Sequence, residues 1–430
     1  MATGKVCITG AVPPQFPSAT CPSGYFHSQY NGWEPRFGLS YRAANHTVVH
    51  TAIAMLDDHN NTMVQENQNI RLSWPGGALP ALNNLDLGLP TNAYWNALPA
   101  ASSFLGANNP FIVSYGADPN NKIPYSIEYN LGVQQQLQEH LTLNVNYVGS
   151  VGRHGYIADT TNTAVTPGPG PIQPRALYPQ YTTFNYSFNE MPSSYNGLQV
   201  ELNKQMSEGL SFKGSYTWSK SMDWQSDPYG PQPVDFYNLR ADWGPSDYNR
   251  PHLFVFSSIY QLPVGKGKRF LSSANTLTDK VLGGWSLGTI ISLESGAPTD
   301  ALANGDVANT GWPNQRAQRT GADPYSSSGG GGFKQWLNPA AFAQPAPFAL
   351  GDESRNDLHG PSFKNVDFNA SKTFPLTERT NLIFKAEMFN LFNHTNYGSP
   401  NNVVGNSNFG QITTANGTGR LVQFGLKVQF

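Results

Sequence analysis

Apolar and polar residues alternate along this chain with a period of two, segment after segment. Within 126–137, Ile127, Tyr129, Leu131, Val133 and Leu137 share one side, and Glu128, Asn130, Gly132, Gln134 and Gln136 share the other. Leu143, Val145 and Tyr147 oppose Asn144 and Asn146 in 141–150. Leu198, Val200 and Leu202 alternate with Gln199, Glu201 and Asn203, and Leu210, Phe212, Tyr216 and Trp218 with Ser211, Lys213, Ser215 and Thr217. Val366, Phe368, Ala370 and Phe374 oppose Asn365, Asp367, Asn369, Ser371 and Thr373. The last segment sets Val422, Phe424, Leu426, Val428 and Phe430 against Gln423, Gly425, Lys427 and Gln429. Strict alternation predicts strands with one apolar and one polar face. Less regular patterns add strands at 36–42, 47–55, 253–262, 285–293 and 381–392, about eleven in all. No segment carries a long helical period.

The connections between these strands alternate in length. Those at 43–46, 138–140, 207–209 and 375–379 are short, and 263–282 belongs with them by its place in the order. Those at 56–124, 151–194, 220–249, 297–362 and 395–419 are long and make up more than half the chain. Loops beyond about 15 residues are uncommon in compact water-soluble domains. Tight turns at one end and long loops at the other are the rule in transmembrane β-barrels. The polar faces agree, being built from Asn, Gln, Ser, Thr and Gly with few charges, as a lumen requires when the apolar face meets lipid. Aromatic residues near strand ends (Tyr147, Tyr195, Trp218, Tyr260 and Trp285) suit an interfacial belt. The expected fold is therefore all-β, an antiparallel transmembrane β-barrel wall.

Composition narrows the function classes. The 26 Lys+Arg and 28 Asp+Glu give a net charge of −2, with no basic block, so nucleic acid is not an expected partner. Charged residues are only 13%, while aromatics reach 12%, too many for a disordered chain. No apolar run is long enough for a membrane-spanning helix. Cys7 and Cys21 lie in a Gly/Pro/Ser-rich stretch. They form one short disulfide in an oxidising compartment, or they are two unrelated thiols.

Several motifs resemble the barrel of Oar-like TonB-dependent outer-membrane receptors. They include 124–137, Asn146-Tyr-Val-Gly-Ser-Val-Gly-Arg-His-Gly, Ser194-Tyr-Asn-Gly-Leu-Gln-Val and Tyr216-Thr-Trp-Ser-Lys-Ser. Asp247-Tyr-Asn-Arg-Pro-His, Leu282-Gly-Gly-Trp, Ser295-Gly-Ala-Pro and Ala386-Glu-Met-Phe-Asn-Leu-Phe-Asn-His follow in order, after Trp33-Glu-Pro-Arg-Phe-Gly and Asp58-His-Asn-Asn upstream. The resemblance covers 33–430 and leaves 1–32 as a loop or an upstream barrel segment. It implies the C-terminal half of a roughly 22-stranded barrel. A signal peptide, plug and TonB box, present in the family, are not in this sequence, so a fragment is expected. The implied setting is the cell outer membrane, with outer-membrane lipid, the TonB energy-transducing complex (through a plug) and the barrel-assembly machinery as partners. The implied work is energy-coupled uptake of a ligand such as a glycan or peptide. A passive or structural barrel for adhesion is the alternative, and a secreted carbohydrate-active enzyme a third reading.

Candidate chemistry is sparse. His46 and His50 on one strand face would be about 13 Å apart, too far for one ion. Asp57-Asp58-His59 reads as a solvated loop end, and Asn304-Gly-Asp306-Val-Ala-Asn309 echoes a calcium loop without its spaced carboxylates. Glu201, Asp367 and Glu387 read as lumenal groups rather than a glycosidase pair. Gly329–Gly332 reads as a flexible loop tip. No nucleophile, phosphate-loop or zinc motif is present, so no catalytic residue, metal or cofactor is expected. Loop aromatics Trp95, Tyr229, Trp243, Trp312 and Trp336 suit stacking on a ligand or packing within loops. The terminal Phe430 resembles the aromatic assembly signal of outer-membrane proteins.

Overall fold

The computed structural model describes residues 32–58, 113–117, 122–160, 162–177, 179, 183–227, 233–312, 315–326, 335–377 and 379–430. Eleven long strands run in chain order: β1 (Arg36–Ala44), β2 (Thr47–Asp57), β3 (Tyr125–Gln138), β4 (Leu141–Thr160), β5 (Thr183–Ser207), β6 (Leu210–Asp223), β7 (His252–Gln261), β8 (Trp285–Glu294), β9 (Phe363–Pro375), β10 (Asn381–Phe389) and β11 (Leu421–Gln429). Each pairs antiparallel with the one before it, giving a single up-and-down sheet. Val113–Ala117 adds in parallel to the start of β5, and Gly244–Pro245 adds antiparallel to the end of β6. Among the described residues β1 and β11 have one neighbour each and do not meet.

Register turns the alternation of each strand into rows across the sheet. Tyr41, Val49, Val133, Val145, Val200, Tyr216, Phe254 and Leu293 stand side by side on eight successive strands. The neighbouring row is Ser40, His50, Gly132, Asn146, Gln199 and Thr217. The apolar rows stay open even on inner strands, where Ile53, Leu131, Tyr147, Trp218 and Leu293 are exposed, while on the edge strands β1 and β11 both faces are open. Phe37, Leu39, Tyr41, Leu131, Val133, Phe424, Leu426 and Val428 all stand open. The buried apolar side chains lie elsewhere. Among the described residues only Tyr156, Ile157 and Ala386 of that set sit on the eleven strands, and the rest are in loops. A water-soluble fold does not leave so large an apolar band uncovered. A wall whose outer solvent is hydrocarbon does.

Two strands outrun their patterns. β4 continues past 150 to Thr160, because a register irregularity between Gly152 and Tyr156, with His154 at φ 57°, breaks the alternation without ending the strand. β5 correspondingly begins at Thr183, so half of the expected loop 151–194 is strand. β10 stops earlier than its apolar run. Asn390 and Asn393 adopt φ of 50° and 51°, and the Asn390 side chain donates to the His394 carbonyl, turning the chain before Phe392. The connection between β7 and β8 is no tight turn either: it carries the helix α1 (Thr276–Leu282), capped by Asn275. Tyr195 is corrected as well. Its register with Ser150 and Ser221 puts it on the polar face, away from the other belt aromatics.

Candidate functional site: the polar wall and the outer loops

The polar face is a hydrogen-bonded lattice. Gln423 and Asn369 both donate to the Glu387 carboxylate, tying β9, β10 and β11. Asp367 accepts from Asn365 Nδ2 at 2.9 Å and from the Asn390 backbone at 2.9 Å. Glu201 pairs with Lys213 at 2.9 Å. The three carboxylates thus each hold the wall together with different partners, as lumenal groups. His50 and Asn146 lie over Gly132, where an added Cβ would fall 1.9 Å from Asn146 Oδ1 and 2.3 Å from His50 Nε2. His46 is in the β1–β2 turn, against Gln136 Oε1 at 3.1 Å, so the two histidines are not brought together. Among the described residues no cluster of metal-ligating side chains forms.

On the apolar face, Tyr129 and Tyr147 both donate to Asn196 Oδ1 at 2.8 Å. The Tyr129 ring crosses Gly149, whose Cβ would meet it at 2.3 Å, so glycine is required there. Tyr216 OH and His252 Nδ1 are 2.7 Å apart on the same face. These polar-tipped aromatics mark the long-loop end of the band. At the turn end stand Tyr260 and Trp285, the latter edge-on to Phe384. Leu210, the partner of Tyr260, to Trp218 is nine residues of β6, about 27 Å along the strand. A tilted membrane strand crosses the hydrocarbon core in about 9–11 residues.

Above the long-loop end, the described residues of 220–250, 295–362 and 395–419 fold onto one another. Ala301, Ala317, Leu337, Ala341, Phe342, Leu358, Val404 and Phe409 form their core, with Tyr325 and Trp336 against it. Three arginines bind the loops from inside. Arg355 pairs with Asp223 and, at 3.1 Å, with Asp247, joining the 352–359 segment to the top of β6. Arg316 pairs with Asp242 and, at 3.5 Å, with Asp300. Arg319 pairs with Glu353 and, at 2.8 Å, with Asp357, while stacking on Phe342. The Asp242 and Asp300 carboxyls are raised by burial, with Arg316 pulling the other way. The fully covered Glu353 carboxyl is pushed up to about 8 by burial and by Asp357, against the pull of Arg319.

The remaining candidates resolve individually. Asp306 accepts from the Thr310 and Gly311 backbone and from Gln315, and Asn309 donates to the Gly168 and Gly170 carbonyls. That segment is a closed turn whose oxygens are already used. Trp336 donates to the His359 carbonyl at 2.8 Å and packs in the loop core. Trp312 lines a recess with Thr163, Asp235 and Phe236, and its buried Nε1 has no hydrogen-bond partner. Trp243 is 41% exposed. Asp57 ends β2, with its backbone N–H toward Glu34 Oε1. Phe430 follows the last residue of β11 and is fully open. Cys7, Cys21, His59, Trp95, Tyr229 and Gly329–Gly332 lie outside the described residues. The arginine–carboxylate pairs escaped sequence reasoning; only the Asp247-Tyr-Asn-Arg-Pro-His motif signalled them, through Asp247 on Arg355 and Arg250 on Glu294.

Comparison with known proteins places this arrangement. A family model described as an outer membrane beta barrel domain matches residues 2–423. No curated protein matches the sequence significantly. Among solved structures the chain is similar to the outer membrane transporter YddB from Escherichia coli, with a TM-score of 0.46, 10% identity, and coverage of 89% of this chain and 38% of that one. It is also similar to the siderophore receptor PiuA from Acinetobacter baumannii (TM-score 0.42, 12% identity, 92% and 35% covered). The ferripyoverdine receptor of the outer membrane of Pseudomonas aeruginosa gives a TM-score of 0.42 at 11% identity, with 92% and 32% covered. The chain spans about a third of the length of these structures.

Proposed function

We propose that this chain, which belongs to the outer membrane β-barrel family, forms part of the wall and outer loops of an Oar-like TonB-dependent receptor that takes up a glycan or peptide. Its location is the outer membrane. The observation that carries the uptake reading is the pairing of a polar, hydrogen-bonded lumenal face with a folded loop assembly above it. A purely structural wall has no need of buried arginine pairs that fix outer loops in one arrangement. A receptor does, because a preorganised loop surface lowers the cost of ordering on binding. The role in this reading is binding and passage.

In this reading a plug occupies the polar face, and the TonB complex moves it with inner-membrane energy. The barrel-assembly machinery inserts the chain by its last strand. The test is accumulation of labelled oligosaccharides and peptides by cells carrying the full receptor, with and without a protonophore. Uptake lost on de-energising, and lost on deleting this chain, supports the proposal. Uptake indifferent to the protonophore would assign the passive barrel instead.

A further inference from the structure

The connection from β7 to β8 stands apart from the other turn-side links. Residues 262–284 carry Lys266, Lys268, Arg269 and Lys280 against the single carboxylate Asp279, a local charge of +3 in a chain whose total is −2. The same stretch exposes Phe270 at 55%, Leu277 at 75% and Val281 at 57%. It is nonetheless folded. Phe270 N donates to the Pro263 carbonyl, Asp279 Oδ1 accepts from Lys266 N at 2.6 Å, and Asn275 caps α1 through Thr278 N at 2.8 Å. Ordered, open apolar groups beside a cluster of cations call for a specific cover.

Its placement says which. Lys372 lies on β9 in register with Trp285 and Phe384, on the apolar face. It is almost fully buried, over the Trp285 and Phe374 rings, and its Nζ donates to the Val281 and Gly283 carbonyls at the end of α1. Trp285 Nε1 donates to the same Val281 carbonyl at 3.0 Å. These bonds hold α1 against the outside of the wall, at its turn end, continuous with the lipid-facing band. Leu277 and Val281, four residues apart, share one side of the helix.

We infer that residues 262–284 form an interfacial foot, which seats Phe270, Leu277 and Val281 in the adjacent membrane leaflet and binds anionic phospholipid headgroups through Lys266, Lys268, Arg269 and Lys280. Amphipathic segments with basic polar faces bind in this way, by apolar burial plus attraction to anionic lipid. Anionic lipid is favoured over a protein partner because the foot continues the apolar band, with Arg269 over the Phe270 ring and Lys280 one turn from Leu277, so that cations and apolar groups meet the same interface.

The test is a spin label at Leu277→Cys, in a Cys7→Ser/Cys21→Ser background, with the full receptor in nanodiscs. Two bilayers are compared: phosphatidylcholine alone, and phosphatidylcholine with about 25% phosphatidylglycerol. A second label at Phe424→Cys reports the wall. The expected result is collision with oxygen rather than with a water-soluble relaxer at both sites in the anionic bilayer. At residue 277 alone, accessibility to the water-soluble relaxer should rise several-fold in pure phosphatidylcholine and in K266E/K268E/R269E. Residue 277 in water in both bilayers while residue 424 stays in lipid overturns the foot and leaves the barrel intact. Both sites in water overturn the barrel and the foot together. Immersion of 277 that ignores lipid charge and the triple substitution overturns the headgroup recognition.

Discussion

Glu353 sits out of water with Arg319 on one side and Asp357 beside it, and its carboxyl is raised from an ordinary 4.5 to about 8. A raised pKa means that the folded loop binds a proton which the opened loop releases. The stability this supplies is complete below about 4.5 and is lost as pH rises through about 8. Hydrogen exchange in 315–326 and 352–359 should therefore quicken between about pH 5 and about pH 9, after correction for intrinsic rates. Glu353→Gln should flatten that dependence, since its amide carries no titrating proton. A pH dependence unchanged in the variant would place the titration elsewhere. None of this was legible from sequence, because a lone Glu in a Gly/Pro-rich loop gives no sign of its burial. Gly149 and Tyr129 are the opposite case. Both stood within motifs read beforehand, yet the reason, a ring laid across a glycine on the next strand, needs the register.

Elements divide by whether their partners are local. The eleven strands were legible, most sharply where a period of two is written within the segment and less sharply at β1, β2, β7, β8 and β10, because hairpin neighbours follow in sequence. The loop assembly was not, because Arg355 meets Asp223 across 132 residues and Arg316 meets Asp242 across 74, with no period to connect them. Arg355→Ala should strand the buried Asp223 carboxylate, a cost of about 3–5 kcal/mol. The loops 224–227 and 244–249 should then lose exchange protection while β2–β6 keep theirs. Unchanged protection in those loops would show that the pair does not fasten them. The last strand carries a different expectation. β11 is an edge whose Phe424, Leu426, Val428 and Phe430 stand open on one face, the form that adds to a receptive sheet edge. Phe430→Ser in the full receptor should slow membrane assembly and raise periplasmic degradation. A normal assembly rate with only a lowered melting temperature would make Phe430 an interfacial anchor.

At the scale of the molecule, hydrophobic burial is turned inside out: loops carry the buried apolar core and the strands carry apolar groups outward. That inversion is stable only where hydrocarbon covers the band, and hydrocarbon is intolerant of unpaired backbone. Among the described residues, β1 and β11 each present nine residues with a single neighbouring strand. Every N–H and C=O left bare in lipid costs several kcal/mol, so two such edges outweigh the stability of an ordinary domain. The 430-residue chain expressed by itself should therefore aggregate, or pair its edges with other chains, and should not give a discrete pore. Supplying strands that bridge β1 to β11, as the rest of a receptor would, should convert it to a heat-modifiable species in the outer membrane. Gel migration with and without boiling, together with planar-bilayer recording, distinguishes the cases. A monodisperse, detergent-stable monomer with uniform conductance would show that the two edges find each other, and would make this chain a complete barrel.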